Sequence, residues 1–218
     1  LIGAVVPTIL AAQNWDDHDR SGRYMARDIG WNYLQSTLPN SIIINYGDND
    51  TFPLWNNQEV YGVRPDVRIM NTSYLGGEWY IDEMKTRAND APGIPFSLPK
   101  SKYTYVNDYV PIVEKINYAA DIREVIDFVR DDSPRSKLQY SDGSMVDYIP
   151  VPVNKENAIA SGIVAEKDRD LMVDTVYLNL KGDALQKNEL MLLDMLANFD
   201  WKRPIYLTQV YIFQSLGL

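Results

Sequence analysis

Cysteine is missing from this chain of 218 residues, and histidine occurs once, at His18. The first absence excludes a disulfide framework, a thiolate nucleophile, a thiolate zinc site and an iron–sulfur cluster. The second excludes metal sites that gather several imidazoles. No Gly-x-Ser-x-Gly elbow occurs, and neither G-x-x-x-x-G-K-S/T nor G-x-G-x-x-G is present. A nucleophile elbow and the two common Gly-rich phosphate cradles are therefore ruled out. Basic residues are in deficit: 21 Lys and Arg against 30 Asp and Glu leave a net charge of −9. Such a field repels phosphate backbones, so nucleic acid is not an expected partner. Long apolar runs are lacking too. The longest, residues 1–12 (LIGAVVPTILAA), falls short of the roughly 20 residues a membrane span requires.

That run has no basic flank and does not begin with methionine, so it reads as part of an excised fragment rather than a signal peptide. Two readings of residues 1–12 stay open: a buried strand or core segment, or a membrane-proximal stretch. The remainder, 13–218, suits a single domain. With 45% hydrophobic residues, a chain of this size buries about 70% of its unfolded surface without a staple.

Apolar spacing at Tyr24, Met25, Ile29, Tyr33 and Leu34 predicts a helix over 21–37, capped by Asp19 or Ser21. Residues 41–46 (SIIINY) are apolar on both faces, as an interior parallel strand is. Thr51 and Pro53 predict the start of a helix reaching Tyr61, a second strand covers 67–71, and a helix covers 78–88. Pro92, Pro95 and Pro99 mark an extended connection, and Asp121 caps a helix whose core face is Ile122, Val125, Ile126 and Val129. Asp142-Gly143 predicts a β-hairpin between 138–140 and 145–148. Residues 92–165 are taken as an insertion or side lobe. Strands at 175–180 and 203–208 flank a helix at 185–197. The whole predicts a three-layer α/β fold with a mainly parallel sheet and a hairpin-containing insertion.

In an open parallel sheet, ligands bind beyond the carboxyl ends of the strands. That rule selects Asp48, Asn49 and Asp50 after the first strand, Asn71, Thr72 and Ser73 after the second, and Thr208 and Gln209 after the last. Asp48 and Asp50 form an Asp-x-Asp pair of hard oxygen ligands suited to magnesium, manganese or calcium. The same residues also suit an ordinary turn and helix cap. A second acidic knot holds Trp15, Asp16, Asp17, His18, Asp19 and Arg20. Its carboxylates are expected to be partly neutralised by Arg20 and Arg23, and its imidazole to favour the charged form between two aspartates. If the 21–37 helix leads directly into the first strand, this knot should converge with 48–50 into one polar site, with Trp15 or Trp55 as an aromatic wall.

Five blocks carry a family resemblance: NWDDHDRS (14–21), YGDNDTFPLW (46–55), GVRPDVRI (62–69), WYIDEM (79–84), and LDMLA with WKRPIY (193–197, 201–206). Together they resemble the soluble C-terminal part of a large bacterial family of multi-span membrane proteins related to animal transmembrane protein O-mannosyltransferases. The resemblance is strong over 13–87 and 189–208. It implies a membrane-embedded glycosyltransferase with a lipid-linked donor, whose soluble part projects to the periplasmic side. The catalytic carboxylate of such an enzyme is expected in a loop near its first membrane helices, and nothing in this sequence matches that loop. The expected role is that of an extracytoplasmic accessory domain, whose partners are its own membrane-spanning region and a glycan or protein acceptor. Two alternatives stay open. One is a self-contained metal-dependent hydrolase or sugar transferase using Asp48 and Asp50; the other is a scaffold whose tyrosines bind a protein or glycan by stacking.

Overall fold

The computed structural model describes residues 2–104, 109–111, 120–132, 149–180 and 184–217. In chain order the elements are α1 (Ile2–His18), α2 (Met25–Gln35), β1 (Ile42–Asn45), α3 (Asp48–Tyr61), β2 (Arg68–Asn71), α4 (Glu78–Met84), β3 (Tyr109–Pro111), α5 (Ile122–Arg130), β4 (Ile149–Pro152), α6 (Lys155–Ala160), β5 (Thr175–Leu178), β6 (Ala184–Gln186), α7 (Lys187–Ala197) and β7 (Ile205–Leu207). Short 3-10 turns join several of them.

The central sheet has the order β2-β1-β7 and is parallel throughout, with Ile42 opposite both Arg68 and Ile205. All four residues of β1 and all four of β2 are buried, because helices cover both faces. On one face Ile43 and Ile69 pack with Leu34 of α2, Leu54 of α3, Val63 and Val67. On the other, Ile42, Ile44 and Met70 join a larger cluster with Tyr80, Ile81 and Met84 of α4 and Leu190 to Leu193 of α7. This is the three-layer arrangement that the interleaved pattern predicts. Each fully buried Ile or Leu contributes about 1.5–3 kcal/mol. Helices α2 and α3 approach closely at Gly30, where a Cβ would lie 2.5 Å from the Pro53 carbonyl oxygen.

Several expectations are corrected. Residues 2–18 form a helix, not a buried strand, and the side chains of 3–13 are exposed. Alanine, leucine and glutamine favour a helix there, and the helix continues through Pro7 in its second turn, at the loss of one backbone hydrogen bond. Helix α2 begins at Met25, so neither Asp19 nor Ser21 caps it. Helix α3 begins at Asp48 rather than Thr51, and the helix after β2 stops at Met84. The strand expected in the parallel sheet at 175–180 pairs instead antiparallel with β4. Its sequence alternates: Leu178 is fully buried while Tyr177 is 56% exposed, the pattern of a strand with one wet face. Strand β6 is an addition, pairing antiparallel with β3 ahead of a Gln186/Glu189 capping box on α7. Asp121 does cap α5, accepting from the Arg123 amide. The expected 138–148 hairpin lies outside the described residues. Ile94, Phe96, Leu98, Tyr103, Ile122, Ile126 and Val151, all within 92–165, belong to the same buried cluster as Ile42 and Ile44.

Candidate functional site

The carboxyl ends of β1, β2 and β7 meet in one hydrogen-bonded polar edge. Strand β1 ends at the fully buried Asn45, and Gly47 follows with φ 83°, a conformation that glycine adopts without Cβ strain. That turn starts α3 immediately, placing Asp48 and Asp50 in its first turn, where carboxylates complement the helix dipole. The Thr51 hydroxyl lies 2.7 Å from the Gly47 carbonyl oxygen and 3.1 Å from Asn45 Oδ1, and accepts from Asn71 Nδ2 at 2.9 Å. Asn71 Oδ1 in turn accepts from the Ser73 amide at 2.9 Å and the Ser73 hydroxyl at 2.6 Å. Thr72 Oγ1 donates to the Asn45 carbonyl, 3.0 Å away. From the last strand, Thr208 Oγ1 and Gln209 Nε2 both donate to Asp50 Oδ2 at 2.8 Å. One donor remains over: Asn45 Nδ2 is buried with no partner.

Two features flank this edge. A cleft of about 390 Å³ is lined by Tyr46, Thr72 and Tyr211 and by Asn188, Glu189 and Leu192 of α7. Tyr46 and Tyr211 meet edge to face across 5.8 Å. On the other side runs a ladder of rings: Phe52 to Trp55 at 6.0 Å, Trp55 to Tyr74 at 6.2 Å, Tyr74 to Trp79 at 6.4 Å, and both Tyr74 and Trp79 against Tyr80. Its ends are open, with Phe52 52% and Trp79 62% exposed. The Tyr74 hydroxyl donates to Asp48, which ties the ladder to the acidic turn and raises the phenol above its ordinary range. Burial pushes the Tyr80 phenol up to about 12, and its hydroxyl accepts the outward amide of Asn71 at 2.8 Å.

Of the residues singled out in sequence, the structure brings together Asp48, Asp50, Asn71, Ser73 and, through Tyr74, Trp55. Asn49 shares the same first turn of α3. The knot at 14–20 stays apart: Trp15 to His18 close α1, and no hydrogen bond, ion pair or ring contact joins any residue of the knot to 48–50. Its expected ion pairs do not form. Among the described residues Arg20 and Arg23 pair with no carboxylate, and the Asp19 carboxylate accepts the Ser21 amide at 2.9 Å. Trp15 is 72% exposed with no ring beside it. Asp48 and Asp50 face different partners, Tyr74 and the end of β7, rather than a shared point. Among the described residues no group of three or more His, Asp or Glu is placed to hold a metal ion. The ladder, apart from Trp55, is not among the residues the sequence singles out; its signal is aromatic residues at 52 and 55 in α3, at 74 between β2 and α4, and at 79 and 80 in α4.

No described helix is long and apolar enough to cross a membrane. No curated protein and no solved structure matches the chain. Residues 26–216 match the family model described as TMEM260-associated domain 2. The match takes in the central sheet, the polar edge, the ladder and the cleft. The chain belongs to this family, a domain associated with a family of transmembrane proteins.

Proposed function

We propose that this domain is an extracytoplasmic accessory module of a membrane glycosyltransferase, and that its polar edge and aromatic ladder bind and orient a glycan-bearing acceptor rather than carry out transfer. The observation that carries the reading is the ladder itself. Rings open to solvent at Phe52 and Trp79 border a row of carboxylates, amides and hydroxyls. Sugars have apolar faces that stack on rings and hydroxyls that both donate and accept, so they match such a surface. The glycosyltransferase and the side of the membrane enter through the sequence resemblance alone. Helix α1 supports a place near the membrane, since residues 1–13 carry no charge and expose Val5, Val6, Ile9 and Leu10.

The test is titration of the 218-residue chain with a mixed oligosaccharide set, followed by amide chemical shifts. Shifts are expected at 46–52, 72–80 and 208–211, with Trp79→Ala weakening binding by about tenfold, the effect of losing one stacked ring. Manganese-dependent turnover of a nucleotide sugar, abolished by Asp48→Asn, would overturn the reading in favour of a self-contained enzyme.

A further inference from the structure

Helix α1 stands ahead of the residues that match the family, and its composition and its exposure disagree. A helix that is apolar on every side belongs in a protein core or a bilayer, yet the side chains of 3–13 are all exposed. At about 100° per residue, Val5, Val6, Ile9 and Leu10 share one side, between 48% and 62% exposed, and Gly3, Ala4, Pro7, Thr8 and Ala11 share the other. Neither side carries a charge. A globular partner seated on the first side would leave the second facing water, so docking on one side does not account for this helix.

Three observations name the occupant. Gly3, Val5, Val6, Pro7, Thr8 and Ile9 are poor helix formers in water, and no buried face compensates for them. In hydrocarbon the backbone has no partner but itself, so such a sequence stays helical there, and glycine and proline are commoner in membrane helices than in soluble ones. Thr8 is the one polar side chain in 1–12, and its hydroxyl donates to the Ala4 carbonyl at 2.8 Å. It needs no water. The run then ends abruptly: Gln13 and Asn14 lead to Trp15, 72% exposed, and Asp16, Asp17, His18, Asp19 and Arg20 follow at once. Apolar residues, a tryptophan, then charge is the order met in passing from acyl chains through headgroups to water.

We propose that residues 3–12 of α1 insert into one leaflet of a lipid bilayer, with Trp15 at the headgroups and the acidic knot in the water beyond. Ten residues rise about 15 Å, half of the roughly 30 Å of bilayer hydrocarbon, so insertion needs no complete span. The knot and the net charge of −9 select a neutral surface over an anionic one. The proposal is independent of glycan binding, and its test contains no sugar. That test is flotation of the 218-residue chain with vesicles of phosphatidylcholine, and of phosphatidylcholine with one-third phosphatidylserine. The chain is expected to float with the neutral vesicles and less with the anionic ones. Leu10→Asp puts a carboxylate in the inserted stretch and is expected to weaken binding about a hundredfold at an unchanged urea midpoint. Val60→Asp, at a position of α3 that is 65% exposed, should bind as the parent chain does. Bromine near the headgroup end of the acyl chains should quench tryptophan fluorescence more than bromine near their far end, a difference lost in Trp15→Phe. Failure to float with neutral vesicles overturns the proposal, as does binding to anionic vesicles alone. Binding that Val60→Asp weakens as much as Leu10→Asp overturns it too, and lipid-free oligomers dispersed by Leu10→Asp but not by vesicles overturn it in favour of a second copy of this chain.

Discussion

Two Asp-rich turns in this chain, 14–20 and 45–50, are alike in composition and each has a tryptophan close by, but they differ in what lies beneath them. The first closes an exposed helix and rests on local hydrogen bonds alone, from the Asp19 amide to Trp15, from Ser21 to Asp19 and from the Arg23 amide to Arg20. The second is seated on the ends of two buried strands, where Asn45, Thr51 and Asn71 are each fully buried and bond to one another. Acidic residues do not organise a surface by themselves, because neighbouring carboxylates repel and water solvates each of them well. The strand ends do organise it: Asn45 and Asn71 bring amides from adjacent strands to a common level, and α3 lays its first turn across them.

The sharpest break in this comparison comes from Asn71. Replacing it with alanine removes the acceptor shared by the Ser73 amide and hydroxyl and the donor to Thr51, all in a buried setting. Asn71→Ala is expected to lower stability by about 2–4 kcal/mol, read as a fall in urea midpoint at unchanged slope. A change under about 0.5 kcal/mol would mean that the edge is held by packing alone. Asp50 comes next. It joins α3 to the end of β7 through Thr208 and Gln209, and Asp50→Asn keeps one acceptor oxygen. The expected loss is about 1 kcal/mol, with amide shifts spreading to 207–210.

Asp48 sharpens the comparison through pH rather than stability. The Tyr74 phenol is raised because its hydroxyl donates to Asp48, with burial adding to the effect. A group whose folded value is raised supports the fold below its unfolded value, near 10, and loses that support as pH climbs through the folded value. The Tyr74–Asp48 bond is thus intact at neutral pH and breaks only in alkali. Ultraviolet difference titration should find this tyrosine ionising later than a free one, and Asp48→Asn should bring it back toward 10. An unchanged titration in the variant would detach the ladder from the acidic turn.

Most of what positions the edge was legible in the sequence. The run Ile42-Ile43-Ile44 is apolar on both faces, as an interior strand is, and the rule for open parallel sheets then points to Asp48, Asp50, Asn71, Ser73, Thr208 and Gln209. The less legible parts have physical reasons. Thr175-Val176-Tyr177-Leu178 is β-branched and apolar enough to pass for a central strand, yet its alternation marks a half-wet antiparallel partner of β4. Arg68 reads as a surface charge in any sequence window, because its burial is created by α4 folding over it from ten residues away. Residues 14–20 misled for the opposite reason: a helix and the strand after it run antiparallel, which places the helix start at the right end of the sheet, but α2 begins only at Met25 and the knot belongs to α1.

The smallest expected effect belongs to that knot, and it tests the comparison from the other side. Trp15→Ala removes a ring that is 72% exposed and touches no other ring. Asp17→Asn and His18→Gln alter side chains that form no ion pair among the described residues. Substitutions of this kind change stability by within about 0.5 kcal/mol, so none of the three should move the urea midpoint appreciably. Asp19 differs slightly. Its carboxyl is held below the usual range by hydrogen bonds from the Ser21 side chain and amide, so whatever it contributes is present above its unfolded value and is lost as pH falls through the folded one. Being fully exposed, it should add no visible step to acid denaturation. In the oligosaccharide titration, Trp15→Ala should bind as the parent chain does, while Trp79→Ala binds more weakly. Weakening by Trp15→Ala equal to that by Trp79→Ala would place the knot in the site after all, because an exposed tryptophan at the end of α1 affects binding only by touching the ligand itself.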